Sequence, residues 1–251
     1  MNPRRIAQPR LGGAPPASLG RGHEQRGHLM LIQQAPDRLA TAGHLMPREI
    51  DAASDLIGRA YTGDAGAPVA DTVVHSIALA RVARTVVHHA AAHGTVLRPT
   101  APRLRDLAVA VWLPAEAPPL PDLDPDLVAA CGPYTERLFA YDAALRARYG
   151  GDRHDVLWFT AVHPSMGRQG IARMLLQHRH RVLASQNRQT FALAPTMQAR
   201  NLLSSVGFQD HATTMVAPDG DAPPIPMRWG RRADWTDLLT AADGAARGGR
   251  P

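Results

Sequence analysis

Residues 162–176, VHPSMGRQGIARMLL, join a strand-like run to an amphipathic helix through a turn rich in Gly, Arg and Gln. The run that enters the turn, VLWFTAV at 156–162, has the continuous hydrophobicity of a strand covered on both faces. Beyond the turn the apolar residues recur at helical spacing and share one face: Ile171, Met174, Leu175 and Val182. The stretch therefore predicts a strand, a tight turn and a helix in succession.

The turn itself has the composition of an anion-binding site. The first four amides of a helix lack intrahelical partners, and the helix dipole places partial positive charge at the same end. Gly167 and Gly170 would let a ligand approach the backbone closely, as a pyrophosphate does at such turns. The turn lacks the Gly-Lys-Ser/Thr of a Walker A loop and the G-x-G-x-x-G dinucleotide pattern. By itself, a Gly-containing turn between a strand and a helix is more often only structural.

The rest of the chain predicts alternating helices and strands around this turn. Apolar periodicity and Gly/Pro punctuation predict helices at 46–61, 71–92, 127–148, 168–184 and 197–205, and strands at 95–98, 107–113, 156–162, 190–194 and near 211–217. The pair at 95–98 and 107–113 is predicted to form a β-hairpin. This order predicts an α/β domain with a mixed sheet flanked by helices.

Charge and composition separate this domain from two tails. The chain has 251 residues and a formal net charge of +6. Residues 1–38 hold six arginines against two acidic residues, and 228–251 hold five against three, whereas 39–227 are balanced. We therefore expect a disordered N-terminal tail at 1–38, one domain at 39–230 and a C-terminal tail at 231–251. Without a basic footprint on the domain, we expect no nucleic-acid partner.

Cysteine and histidine usage argue against a disulfide or a metal site. Cys131 is the only cysteine, so neither an intrachain disulfide nor a cysteine-based zinc site is possible. The 12 histidines do not show the spacing of a helical zinc site. The basic N-terminus has no apolar segment behind it, and no run reaches membrane-spanning length. The sequence predicts a cytoplasmic protein with no metal and no membrane partner.

The residues around the turn resemble the GNAT acetyltransferase superfamily. Its signature, Arg/Gln-x-x-Gly-x-Gly/Ala after a strand ending in Val-x-Pro, is matched by Val162-His163-Pro164, Gly170 and Ala172. A second landmark, a helix ending in Gly-Phe, is similar to NLLSSVGF at 201–208. The run AVAVWLPAE, the helical insert after it and VLWFTAV resemble the layout of the puromycin N-acetyltransferase-like branch. The resemblance spans about 40–230 and is strongest over 156–208.

This resemblance implies a splayed sheet that holds acetyl-CoA as co-substrate. The acetyl-CoA would lie in a V-shaped opening between the strands 156–162 and 190–194, with pantetheine alongside Ala161 and Val162. An amide near Val162 would donate to the thioester carbonyl. The remaining cofactor-binding positions that the resemblance implies are Gly167, Arg168, Gln169, Gly170, Ile171 and Ala172, whose amides would hold the pyrophosphate, and Asn201.

Two residues depart from the family pattern. Gly167 stands where the family has Arg or Gln, which removes a side chain but keeps the amide; Arg168 could substitute in part. Leu203 stands where the family commonly places a Tyr that protonates the departing thiolate. A general acid contributes about 10²–10⁴-fold, and a thiol with a pKa of roughly 8.5 can leave as the thiolate near neutral pH. We expect slower catalysis, or a proton supplied by another group.

The acceptor side has candidates but no motif. Attack needs a neutral amine, and Glu136 or His154 could take its proton. Trp112 and Tyr134 are candidates for an acceptor pocket. Solvated surface charge is the commoner explanation for Glu136 and His154, and core or lid packing for Tyr134. The leading hypothesis is an acetyl-CoA-dependent N-acetyltransferase of a small amine, such as an antibiotic or secondary metabolite, acting as a monomer or homodimer. The alternatives are a catalytically weakened acyl-CoA-binding or regulatory module, and protein N-terminal acetylation.

Overall fold

A computed structural model describes residues 39–41, 45–62, 69–149, 153–211 and 224–230. These residues form a mixed sheet flanked by helices, which confirms the fold class predicted from the sequence. The two predicted tails, 1–38 and 231–251, lie outside the described residues, so the domain boundaries stay predictions.

Helices and strands alternate along the second half of the chain as the sequence predicts. The helices are α1 (Pro47–Thr62), α2 (Val69–His93), α3 (Pro125–Ala130), α4 (Pro133–Tyr149), α5 (Ile171–Ser185) and α6 (Met197–Ser204). The strands are β1 (Leu39–Thr41), β2 (Thr95–Pro99), β3 (Ala108–Pro114), β4 (His154–Val162), β5 (Gln189–Ala194), β6 (Gln209–Asp210) and β7 (Ile225–Trp229).

The sheet has the strand order β1-β2-β3-β4-β5-β7-β6. Strands β2 and β3 pair antiparallel, as the predicted hairpin requires. Strands β4 and β5 are parallel neighbours, joined by α5, because a parallel pair needs a crossover connection. The other pairs in the sheet are antiparallel. The turn at 163–170 therefore follows a central strand of the sheet.

The main hydrophobic core lies between one face of the sheet and helices α1, α2 and α4. The residues that β3 contributes to it alternate along the strand: Val109, Val111 and Leu113. Helix α5 contacts β3 and β4. Because side chains of a strand alternate between faces, Trp112 points away from this core, and it is completely buried.

One predicted helix differs from the structure. The helix predicted at 127–148 is two helices, α3 and α4. The helical conformation is interrupted at Gly132, which adopts φ +78°. Pro133 then starts the second helix, because it has no N–H with which to continue the first. The strand predicted near 211–217 falls almost wholly outside the described residues. Strand β7 was not predicted, since Pro226 interrupts the strand pattern in IPMRW.

Strand β4 begins two residues earlier than predicted, and the extra residues are polar. Asp155 is fully buried, because Arg179 of α5 and Arg188 both donate to its carboxylate, at 2.6 Å and 2.7 Å. Arg188 also makes two hydrogen bonds to the carboxylate of Glu116. Two guanidinium groups thus compensate the carboxylate for its lost hydration and fix α5 and the following loop to the base of the sheet.

Candidate functional site: a split in the sheet beside a helix N-terminus

The parallel strands β4 and β5 separate halfway along β4. They pair over four residues, from His154 with Gln189 to Leu157 with Ala192. Beyond this point β4 continues to Val162, while the end of β5 pairs only with β7. The divergence begins beside a bulge in β4, where β3 pairs directly with the residues before and after Trp158. A bulge bends its strand and increases the twist, which explains why the two strands diverge here.

The open edge of β4 carries main-chain donors that the sheet does not use. The N–H of Thr160 points to the Tyr61 hydroxyl of α1, with 3.4 Å between nitrogen and oxygen. The N–H of His163 donates to Leu107 on the β3 side instead. Because N–H groups alternate along an extended strand, the amide of Val162 lies on the same open side as that of Thr160. The split therefore presents two amides, two residues apart, to whatever enters it.

Two tyrosines cross the split from the helical face. Tyr134 of α4 donates its hydroxyl to the Leu193 carbonyl of β5 at 3.1 Å. The rings of Tyr61 and Tyr134 are stacked with their centroids 5.8 Å apart. Burial, and then the neighbouring Tyr61, raises the pKa of Tyr134 well above its usual range. Burial likewise raises the pKa of Tyr61, against lowering contributions from the Thr160 N–H and the Tyr134 hydroxyl. Both hydroxyls therefore keep their protons at neutral pH.

The N-terminus of α5 lacks the capping side chain that other helices have. The N-cap of α5 is Gly170, with φ +77° and no side chain to accept from the first amides. In contrast, α3 is capped by Asp124 and α6 by Thr196. A Cβ built on Gly170 would meet no atom within 4 Å, so open space lies beside the backbone at this position. The orphan amides of α5 are thus left for an external acceptor.

Charge at this end of α5 also favours an anion. The first turn of α5 contains no acidic residue, although acidic side chains are stabilising at that position. Arg168 in the turn and Arg173 in the first turn of the helix are both exposed. Arg168 adopts φ +61°, in the left-handed region, and so does Gly170 two residues later. The helix dipole and these two positively charged residues therefore make this end of α5 electropositive.

The residues predicted to bind the co-substrate fall into one continuous segment. Ala161 and Val162 form the end of the open edge of β4, and Gly167 to Ala172 follow in the turn and the start of α5. The other predicted position, Asn201, is exposed on α6. Amides suited to bind an anion and amides suited to bind an extended chain are thus placed next to each other.

The predicted acceptor and catalytic residues are more scattered. His154 begins β4, eight residues and roughly 26 Å along the strand from Val162. Glu136 is exposed on α4, and because it lies two residues after Tyr134 it faces away from the split. Trp112 is buried on the opposite face of the sheet. Among these candidates Tyr134 alone lies at the split, and the roles of all four stay predictions.

The position of the family tyrosine is part of the core. Leu203 is 6% exposed, and its carbonyl accepts from the amides of Val206 and Phe208, which close the end of α6. A leucine there has no proton to donate. Sequence reasoning identified this gap but missed Tyr61, because the contact between Tyr61 and Thr160 joins residues 99 positions apart.

Neither a metal centre nor a membrane span is found in the described part of the chain. Its His, Cys, Asp and Glu side chains do not gather into a group of three that could hold a metal ion. Its helices are too short or too polar to cross a membrane.

Comparison with known proteins identifies the fold. No family model matches the sequence, and no curated protein is similar to it in sequence. A solved structure described as histone acetyltransferase HPA2 and related acetyltransferase, from Corynebacterium glutamicum, is 18% identical with a TM-score of 0.52, over 76% of this chain and 94% of that one. The C-terminal condensation domain of Ebony, bound to beta-alanyl-dopamine, is 16% identical with a TM-score of 0.52, over 77% and 98%. Arylalkylamine N-acetyltransferase 2 from Aedes aegypti is 10% identical with a TM-score of 0.50, over 77% and 98%.

These likenesses show the fold that the sequence resemblance predicts. The chain has the GNAT-like mixed sheet, splayed between β4 and β5 and flanked by helices. Its similarity to the puromycin N-acetyltransferase-like branch stays a prediction.

Proposed function

We propose that this protein is an acetyl-CoA-dependent N-acetyltransferase that transfers the acetyl group directly to the amine of a small molecule. The observation that carries the proposal is the pairing of two features: the split between β4 and β5, and the uncapped N-terminus of α5 that follows β4 directly. The split supplies main-chain amides for the pantetheine, and the N-terminus of α5 supplies an anion site for the diphosphate. The two follow each other along the protein as these two parts do along CoA. Fold neighbours named as acetyltransferases give the same reaction class.

The proposal assigns a role in binding or catalysis to each part of the site. The amides at the start of α5, with Arg168 and Arg173 nearby, bind the diphosphate. The amides of Thr160 and Val162 bind the extended chain and polarise the thioester carbonyl. The acetyl group bound there is the electrophile for a neutral amine. The helical side of the split, where Tyr61 and Tyr134 lie, is then the side from which the amine approaches.

Turnover with defined amines tests the proposal. Purified protein is mixed with acetyl-CoA and a panel containing arylalkylamines, polyamines, puromycin and a peptide with a free N-terminus, and released thiol is measured against time. We expect thiol release with at least one small amine and its acetylated product in the mass spectrum. Binding of CoA without turnover of any amine in the panel would contradict the proposal.

Burial of Leu203 favours a second candidate function, a catalytically weakened acyl-CoA-binding or regulatory module. Such a module binds CoA in calorimetry without consuming acetyl-CoA, and restoring a tyrosine at this position changes nothing in the chemistry. The peptide in the panel addresses protein N-terminal acetylation. Thiol release with the peptide alone would favour that alternative over a small-molecule acceptor.

A further inference from the structure

The hydroxyl of Tyr61 lies at the open edge of β4, where the proposed function places the thioester. Tyr61 lies in the last turn of α1, and its hydroxyl oxygen accepts from the Thr160 N–H, 3.4 Å away. This amide lies three residues past the last residue of β4 that pairs with β5. The hydroxyl therefore occupies the position that a carbonyl oxygen would take when bound to the same amide.

The surroundings hold Tyr61 in this position. Its ring packs edge-on against Phe159 at 5.8 Å between centroids and stacks on Tyr134 at 5.8 Å. The proton of the Tyr134 hydroxyl is directed to the Leu193 carbonyl. The Tyr61 hydroxyl accepts from the Thr160 N–H and also interacts with the Tyr134 hydroxyl. Of the two hydroxyls in the split, Tyr61 is thus the one that lies against the β4 amides, and its contact with Thr160 does not use its own proton.

We propose that Tyr61 is the proton donor to the departing CoA thiolate, and that Tyr134 positions it. This inference rests on the proposed N-acetyltransferase function. It assigns the task that Leu203 cannot perform to a residue from a different helix, α1 instead of α6. Tyr61 keeps its proton at neutral pH because burial raises its pKa, so the phenol is in the correct state to act as an acid.

The step balances without an added reactant. A thioester carbonyl oxygen takes over the Thr160 N–H, which frees the Tyr61 hydroxyl to turn towards the neighbouring sulfur. The amine nitrogen forms a bond to the carbonyl carbon and the carbon–sulfur bond breaks, with its electron pair moving to sulfur. Sulfur takes the Tyr61 proton, and the phenolate regains a proton from the nitrogen that attacked, through water in the split. The products are the amide and the free thiol.

Three matched variants test this role. Tyr61→Phe removes the acid and keeps the ring, Tyr134→Phe removes the positioning contact, and Tyr141→Phe is the control. Tyr141 is buried on α4, and its hydroxyl has no hydrogen-bond partner within the described structure. With the amine that the wild type turns over best, we expect kcat to fall about 10²-fold for Tyr61→Phe, less for Tyr134→Phe, and to stay unchanged for Tyr141→Phe. The Kd for CoA is expected to stay within about threefold of wild type in all three.

A second readout separates proton donation from a packing role. The variants are compared on two truncated donors, S-acetyl-N-acetylcysteamine and S-acetyl-4-nitrothiophenol, whose thiols differ in acidity. A nitrothiophenolate leaves without a proton, so the Tyr61→Phe defect should disappear with that donor and persist with the alkyl thioester. An equal defect on both donors would overturn the assignment.

Failure of this inference is distinguishable from failure of the proposed function. If the wild type acetylates an amine and Tyr61→Phe retains its full kcat, the acid is not Tyr61 while the N-acetyltransferase function stands. If the wild type binds CoA but acetylates no amine in the panel, the proposed function itself is wrong, and the assignment of Tyr61 is overturned with it.

Discussion

Replacing Gly170 with alanine allows the effect on protein stability to be measured separately from the effect on CoA affinity. Gly170 has φ +77°, and a residue with a Cβ in the left-handed region costs about 1–2 kcal/mol. At roughly 2–4 °C per kcal/mol for a domain of this size, the melting temperature should fall by about 2–8 °C. The added methyl meets no protein atom within 4 Å. Any loss of CoA affinity must therefore come from the methyl group's effect on the bound ligand or on the turn that holds it.

We expect the Kd for CoA, measured by calorimetry, to rise at least tenfold in Gly170→Ala, or about 1.4 kcal/mol. Gly207→Ala is the matched control, because Gly207 also has a positive φ, +97°, and lies after α6, outside the residues assigned to the diphosphate. There we expect a Kd within about threefold of wild type. A Gly170→Ala protein that melts earlier but binds CoA as tightly as wild type would refute the assignment of the turn as the diphosphate site.

Three further substitutions test the scaffold and the chemistry. Asp155→Asn breaks a buried carboxylate between two arginines and should destabilise the protein by about 3 kcal/mol in denaturant unfolding, whereas Asp51→Asn in an exposed ion pair should cost under about 0.5 kcal/mol; equal costs would contradict the burial argument. Hydrogen bonds from Arg188 lower the pKa of Glu116 from 4.5 to about 2, so its contribution is present above pH 4.5 and lost as pH falls towards 2. Glu116→Gln should flatten the stability profile in that window, and an unchanged profile would refute the pairing. Leu203→Tyr should leave kcat within about threefold if another group already supplies the proton, and a rise of tenfold or more would show that this proton was missing.

The sequence predicts the helices and strands around the turn because each has a complete local signal. Consecutive residues contain the apolar run of β4, the turn after it and the periodic apolar face of α5. Prediction fails where a distant residue decides the outcome. His154 and Asp155 look like solvated residues ahead of a strand, but they are buried in it. The arginines that permit this burial, Arg179 and Arg188, lie 24 and 33 residues after Asp155.

The candidate site likewise has one half with a local sequence signal and one half that depends on distant residues. The half proposed to bind the diphosphate, formed by the amides at the start of α5, has a local signal in the sequence of the turn. The half formed by Tyr61, Tyr134 and the open edge of β4 depends on a bulge at Trp158 and on helices far away in the sequence. Neither glycine nor proline marks that bulge, so the sequence contains no local signal for where β4 leaves β5.

A crystal structure of the full chain with CoA tests the central claim most directly. We predict that diphosphate oxygens lie within hydrogen-bonding distance of the first amides of α5, and that pantetheine follows residues 158–162 inside the split. The Tyr61 hydroxyl should then lie beside the sulfur. A diphosphate bound elsewhere, or pantetheine outside the gap between β4 and β5, would contradict this account.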